Sequence, residues 1–125
     1  MKKLLVKTDK APAAIGPYSQ AIKTSSMLFI SGQLPIDPKT GALVEGIEKQ
    51  TKQALNNLEA ILNESGATLN SVVKTTLYLR DMEDFQTVNT IYGQYFNDTA
   101  PARSCIGVLS LPKDASIEIE AIAVL

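Results

Sequence analysis

The last strand-like run of the chain, SIEIEAIAVL (116–125), alternates polar and apolar side chains and then turns apolar on both faces from Ala121 to Val124. Its β-branched content and period of two read as a strand. A strand with such an end must be covered on both sides. Met27 to Ile30, within the β-rich run MLFISGQLP (27–35), makes the same demand. Helices laid on one face of a sheet satisfy half of it. The other half is expected to come from a second subunit, against the alternative of a central strand buried on both sides within one chain.

The remaining patterns supply those helices. Ile47, Ala54, Leu55, Leu58, Ile61 and Leu62 recur at three- and four-residue spacing, which predicts an amphipathic helix, with Gly66 as its stop. SVVKTTLYLRD (71–81) alternates as a strand. Asp81 or Asp84 can cap a second helix with apolar positions at Phe85, Val88, Ile91, Tyr92, Tyr95 and Phe96. Earlier, residues 4–7 read as a strand, IGPYSQAIKT (15–24) as a Gly-Pro turn that continues into a strand pairing with 27–35 around Ser25-Ser26, and IDPKTG as a tight turn. ARSCIGVL and SIEIEAIAVL are expected to pair antiparallel about the Leu-Pro-Lys-Asp turn. The order predicts an α+β domain with two helices on one face of a mixed β-sheet, a single domain over residues 1–125.

Composition narrows the chemistry. With 125 residues, 45% of them hydrophobic and 20% charged, the chain can bury a core without metals or disulfides. It has one cysteine, which fits a reducing compartment, and the apolar core of its first residues, Leu4 to Val6, is too short for a signal peptide. A cytoplasmic protein with no membrane span is expected. The net charge is -1 and no basic run extends beyond Lys2-Lys3, which weighs against a nucleic-acid partner. The absence of histidine removes Ser-His and Cys-His pairs and imidazole bases, and a lone cysteine leaves no zinc site. Catalysis would have to use carboxylates, Tyr, Lys, Arg, backbone groups and water.

Polar residues interrupt the apolar patterns at four places. Arg103, one of two arginines, opens a strand on the face of Cys105 and Gly107, while Glu118 and Glu120 share a face of the last strand. Were those strands paired, a carboxylate could lie near Arg103. Asn89 lies on the apolar face of the second helix, and Tyr18 follows Gly16-Pro17, which limits the backbone before it. Each has a plain reading: a cross-strand ion pair, a structural amide, a packing ring. A guanidinium also grips a carboxylate by two prongs, as lysine cannot.

APAAIGPYSQAI (11–22), FISGQLPIDPKTG (29–41), VVKTTLYLRDMEDFQTVN (72–89) and PARSCIGVLSLPKDASIEIEAIAV (101–124) together resemble the RidA/YjgF family of reactive-intermediate deaminases over nearly the whole chain. The resemblance implies a chorismate mutase-like fold and a homotrimer with pockets between neighbouring subunits. It implies hydrolysis of 2-imino acids such as 2-iminobutanoate and 2-iminopropanoate to 2-oxo acids and ammonia, with no metal or organic cofactor. It places Arg103 on the substrate carboxylate and Glu118 on the attacking water. Tyr18 and Asn89 would line the pocket, Ser31 and Gly32 would form its wall, and Cys105 would stand by, chiefly through its backbone. Tyr18, Ser31 and Gly32 would face Arg103 and Glu118 across the subunit boundary. Leu109, where many members carry a small residue, and a short 97–100 segment depart from the pattern, with consequences expected for packing near the turn and for the pocket mouth. A non-catalytic 2-oxo acid sensor and a translation inhibitor with ribonuclease activity are the competing readings.

Overall fold

The computed structural model describes residues 2–125. Its strands are β1 (Leu4–Val6), β2 (Ala21–Lys23), β3 (Met27–Gln33), β4 (Val72–Leu79), β5 (Ala102–Gly107) and β6 (Ile117–Val124), with helices α1 (Ile47–Glu64) and α2 (Phe85–Tyr95). They form one six-stranded sheet in the order β1-β2-β3-β6-β4-β5, antiparallel throughout except for the parallel pair β4–β5. Both helices pack on one face, as the period changes predict. Among the described residues no helix is long and apolar enough to cross a membrane.

The core lies between that face and the helices. Leu28 and Ile30 of β3, Leu77 and Leu79 of β4, and Ile117 and Ile119 of β6 meet Leu55, Leu58, Ile61 and Leu62 of α1 and Val88 and Tyr92 of α2. Each such side chain contributes about 1.5–3 kcal/mol by leaving water. Helix α1 ends as its sequence demands. Gly66 takes φ 81, the Gly66 N–H donates to Asn63 O at 3.1 Å, and the Ala67 N–H donates to Leu62 O at 2.9 Å. The buried Asn57 of α1 donates to Leu34 O at 3.0 Å and Ile36 O at 2.9 Å, tying the loop after β3 to the helix layer.

Three expectations change. The strand expected after the Gly16-Pro17 turn is short: only Ala21–Lys23 enters the sheet, pairing with β3 about the expected Ser25-Ser26 turn. The loop before it is stapled instead by the buried Gln20. Its amide accepts from Thr8 N–H at 2.7 Å and donates to Thr8 O at 3.0 Å and Pro12 O at 2.8 Å. Leu109 is 97% exposed and packs against nothing near its turn. The largest change is that β5 and β6 do not pair: β4 stands between them. β4, α2 and β5 make a parallel strand–helix–strand unit, whose crossover needs a connection of helical length. β5 is thereby placed at the sheet edge, and β6 returns on the other side of β4.

Candidate active site

Arg103 is held by α2. Its Nη1–H donates to Asn89 Oδ1 at 2.7 Å, and its guanidinium carbon lies 4.9 Å from the centre of the Tyr92 ring and 5.6 Å from that of Phe85. Aromatic faces attract a cation and keep its plane fixed. Tyr92 is anchored in turn, its hydroxyl 2.7 Å from that of the fully buried Thr75. Burial pushes the Tyr92 phenol up, so the ring under the cation stays neutral. Among the described residues Arg103 has no carboxylate partner. Among the described residues the one ion pair joins Arg80 to Asp114. The cross-strand pair that would explain Arg103 structurally is absent, and its remaining donors are free to take an acidic ligand.

Cys105 follows on the same face of β5, half-buried. Burial pushes its thiol up, against a smaller lowering by Arg103, so the thiol stays protonated at neutral pH. No base contacts it, and it is not an activated nucleophile. Beyond it, Gly107 leaves space that Met82 fills: a Cβ there would meet Met82 Cγ at 3.0 Å.

The opposite face of the sheet carries the rest. Glu118 lies against Gly32, where a Cβ would come 2.7 Å from Glu118 Oε2 and 2.8 Å from Cδ, so a side chain at that position would displace the carboxylate. Burial first, and then the charge of Glu120, push the Glu118 carboxyl above the usual range. Ser31 donates its hydroxyl to Ser19 O at 2.6 Å, which fixes the Tyr18 loop to β3. Tyr18, 54% exposed, lines a depression of about 460 Å³ with Ser31, Phe29, Ile122 and Glu120. Its hydroxyl accepts a long bond from Ile15 N–H at 3.4 Å, so the Gly16-Pro17 turn places the ring without burying it.

The structure therefore gathers the predicted residues into two groups. Arg103, Asn89 and Cys105 form one, on the helix side of the sheet. Tyr18, Ser31, Gly32 and Glu118 form the other, on the open side. This corrects the expectation that a carboxylate of the last strand could lie near the Arg103 face of the same chain, and the grouping of Glu118 with Arg103 against Tyr18, Ser31 and Gly32. The registers give the reason: Arg103 pairs with Thr75 and Thr75 with Ala121, all toward the helices, whereas Glu118 pairs with Tyr78 and Tyr78 with Ile106, all away from them.

Sequence reasoning missed Phe85 and Tyr92 as the seat of Arg103, reading them as core. Their spacing about Asn89, four residues before and three after, was the available signal. It also missed Tyr78, whose hydroxyl donates to Glu120. Among the described residues no three His, Cys, Asp or Glu side chains cluster as metal ligands would.

The fold matches a solved one closely. The crystal structure of the YjgF gene product of Escherichia coli aligns at a TM-score of 0.94 and 46% identity, covering 97% of this chain and 98% of that one. The architecture is thus that of a YjgF-type α+β protein. The family model described as Endoribonuclease L-PSP matches residues 8–125. A RutC family protein of Pyrococcus abyssi is 53% identical over 124 residues, covering 98% of each chain. A 2-iminobutanoate/2-iminopropanoate deaminase of Salmonella typhimurium is 51% identical over 122 residues, covering 95% of each. The chain belongs to this family, the RidA/YjgF proteins that its motifs resemble.

Proposed function

We propose that the chain is an imine deaminase that hydrolyses small 2-imino acids to 2-oxo acids and ammonia, in sites each completed by two copies of the chain. The observation that carries this reading is the guanidinium of Arg103, which forms no ion pair among the described residues, is held by Asn89 beside the Tyr92 and Phe85 rings and is free to bind a carboxylate. The name of the Salmonella typhimurium relative supports the reaction.

Arg103 and Glu118 leave opposite faces of one sheet, so a single chain does not bring them to one ligand. A second copy can, if its open sheet face meets the β5–α2 edge of the first. That open face is apolar enough to associate: Phe29 is 43% exposed, Ile106 44% and Val124 46%. The two surfaces differ, so the contact is head-to-tail, and such contacts close into rings. A homotrimer is the ring proposed here, with Tyr18, Ser31, Gly32 and Glu118 of one copy facing Asn89, Arg103 and Cys105 of the next.

In that site Arg103 holds the substrate carboxylate and fixes the imine carbon. Glu118, ionised, accepts a proton from a water as its oxygen attacks that carbon, giving a tetrahedral amino alcohol. Glu118 then returns the proton to nitrogen, takes the proton of the hydroxyl as the carbon–nitrogen bond breaks and the carbonyl forms, and passes it to the departing ammonia, so that the 2-oxo acid and ammonium leave. The protonated imine is already electrophilic, so the reaction as written uses water and the chain's own side chains. Glu118 suits this role better than Glu120. Its carboxylate accepts no hydrogen bond among the described residues, whereas that of Glu120 is occupied by Tyr78.

The test is ammonia release from 2-iminobutanoate generated in place by threonine dehydratase. The wild-type protein is expected to raise the rate well above spontaneous hydrolysis. Binding of 2-oxobutanoate without any acceleration would favour a non-catalytic sensor.

A further inference from the structure

Glu118 and Glu120 leave the same face of β6 about 6–7 Å apart, and the proposed chemistry uses one of them. Tyr78 stands directly across from Glu118 in the β4–β6 register, yet its hydroxyl reaches diagonally and donates to Glu120 Oε1. The phenol remains a donor: the hydrogen bond to Glu120 first, then burial, push its ionisation upward. Glu118 rests on the Gly32 backbone, in a space that a Cβ would take. Two carboxylates this close on one face tend to share a proton unless one is otherwise engaged.

The neighbouring charges do not engage Glu118. From β6 Glu120 faces it, and from β4 Tyr78; β3 offers the Gly32 backbone. Lys3 borders the depression beside Glu120. Lys74 donates to Ser104 Oγ at 3.0 Å and Thr75 O at 3.3 Å, and Arg80 is paired with Asp114. None of the three cations forms an ion pair with either glutamate.

The geometry points to Tyr78 as a positioning residue: its hydroxyl engages the carboxyl group of Glu120, so that Glu118 alone is left to exchange the proton of the attacking water. This inference rests on the reading of Glu118 as the proton carrier. The phenol engages one member of an otherwise equivalent pair, which makes two chemically identical side chains different.

The test compares wild type, Tyr78→Phe, Glu120→Gln and the double variant by two readouts. One is the pH profile of kcat/KM for 2-iminobutanoate, and the other is carboxyl NMR titration of isotopically labelled glutamate in the assembled protein. Tyr78→Phe is expected to let the carboxylates share a proton. A proton drawn to Glu120 removes charge facing Glu118, so the acid limb should move down by about half to one pH unit, with kcat/KM about three- to tenfold higher on the acid side of that limb and KM little changed. Glu120→Gln should move the limb down, because it removes the neighbouring negative charge. In the Glu120→Gln background Tyr78→Phe should do nothing further. An unchanged titration in Tyr78→Phe, or an effect that persists in full without Glu120, would overturn the proposal. The titration needs no turnover and so separates the two assignments. If it responds as stated while Glu118→Gln hydrolyses like wild type, the hold of Tyr78 on the pair stands and the role of Glu118 falls.

Discussion

Arg103→Ala is expected to lower kcat/KM for 2-iminobutanoate by about 10²–10³-fold, the size of effect seen when a preorganised charged donor is removed from a reacting group. The guanidinium is placed before the substrate arrives. Asn89 takes one N–H at 2.7 Å, and the Tyr92 ring centre lies 4.9 Å from the guanidinium carbon. Its other donors can then form a two-pronged bond to a carboxylate at little cost in order. Arg103→Lys should recover little, because an ammonium cannot lie flat on Tyr92, bond Asn89 and offer two parallel donors together. The fold should survive both changes. Arg103 is half-buried on the edge strand β5 and takes part in no ion pair, so its loss strands no buried charge. Ammonia release coupled to threonine dehydratase measures the loss, and thermal unfolding checks the fold. A wild-type rate in Arg103→Ala would remove the carboxylate clamp from the account.

Glu118→Gln should act on the other part of the reaction. It keeps the shape of the side chain against Gly32 but cannot take a proton, so kcat should fall by about 10²–10⁴-fold with KM little altered. The direction of the Glu118 shift gives two further expectations. A base must be ionised to act, and burial pushes this carboxyl above the usual range, so the acid limb of the wild-type profile should lie above that of an ordinary glutamate. For stability the sign is opposite to that of a salt-bridged acid. The folded chain holds this proton more tightly than the unfolded chain, so stability falls as pH rises from the unfolded value through the folded one. Glu118→Gln should therefore leave the protein at least as stable at neutral pH while removing its activity. Full activity in this variant would contradict the assignment.

The fold was legible where local pattern decides it. The helical spacing from Ile47 to Leu62 with its stop at Gly66, the apolar spacing from Phe85 to Phe96 and the alternation of 71–81 gave both helices and the strand β4 between them in sequence. Strand order was not legible, because alternation says which residues of one strand share a face but not which strand lies beside it. The short Leu-Pro-Lys-Asp turn suggested a hairpin. The competing signal was the strand–helix–strand sequence of β4, α2 and β5, which makes a parallel pair and puts β4 between the last two strands. One error of pairing changed the site, because it moved Glu118 to the face away from Arg103. The family motif named the residues of the proposed site, while the aromatic seat of Arg103 and the Tyr78–Glu120 bond depend on contacts that spacing does not encode.

The central claim is that a site takes Arg103 from one copy and Glu118 from another. Arg103→Ala and Glu118→Gln chains, each inactive alone, can be co-expressed with different tags and the mixed assemblies isolated. If the site is shared, each mixed trimer holds one interface of three with both residues intact, so the isolated mixed assemblies should return about a third of the wild-type rate. If Arg103 and Glu118 of one chain serve one site, no assembly contains an intact pair, and the mixture should stay as inactive as its parents.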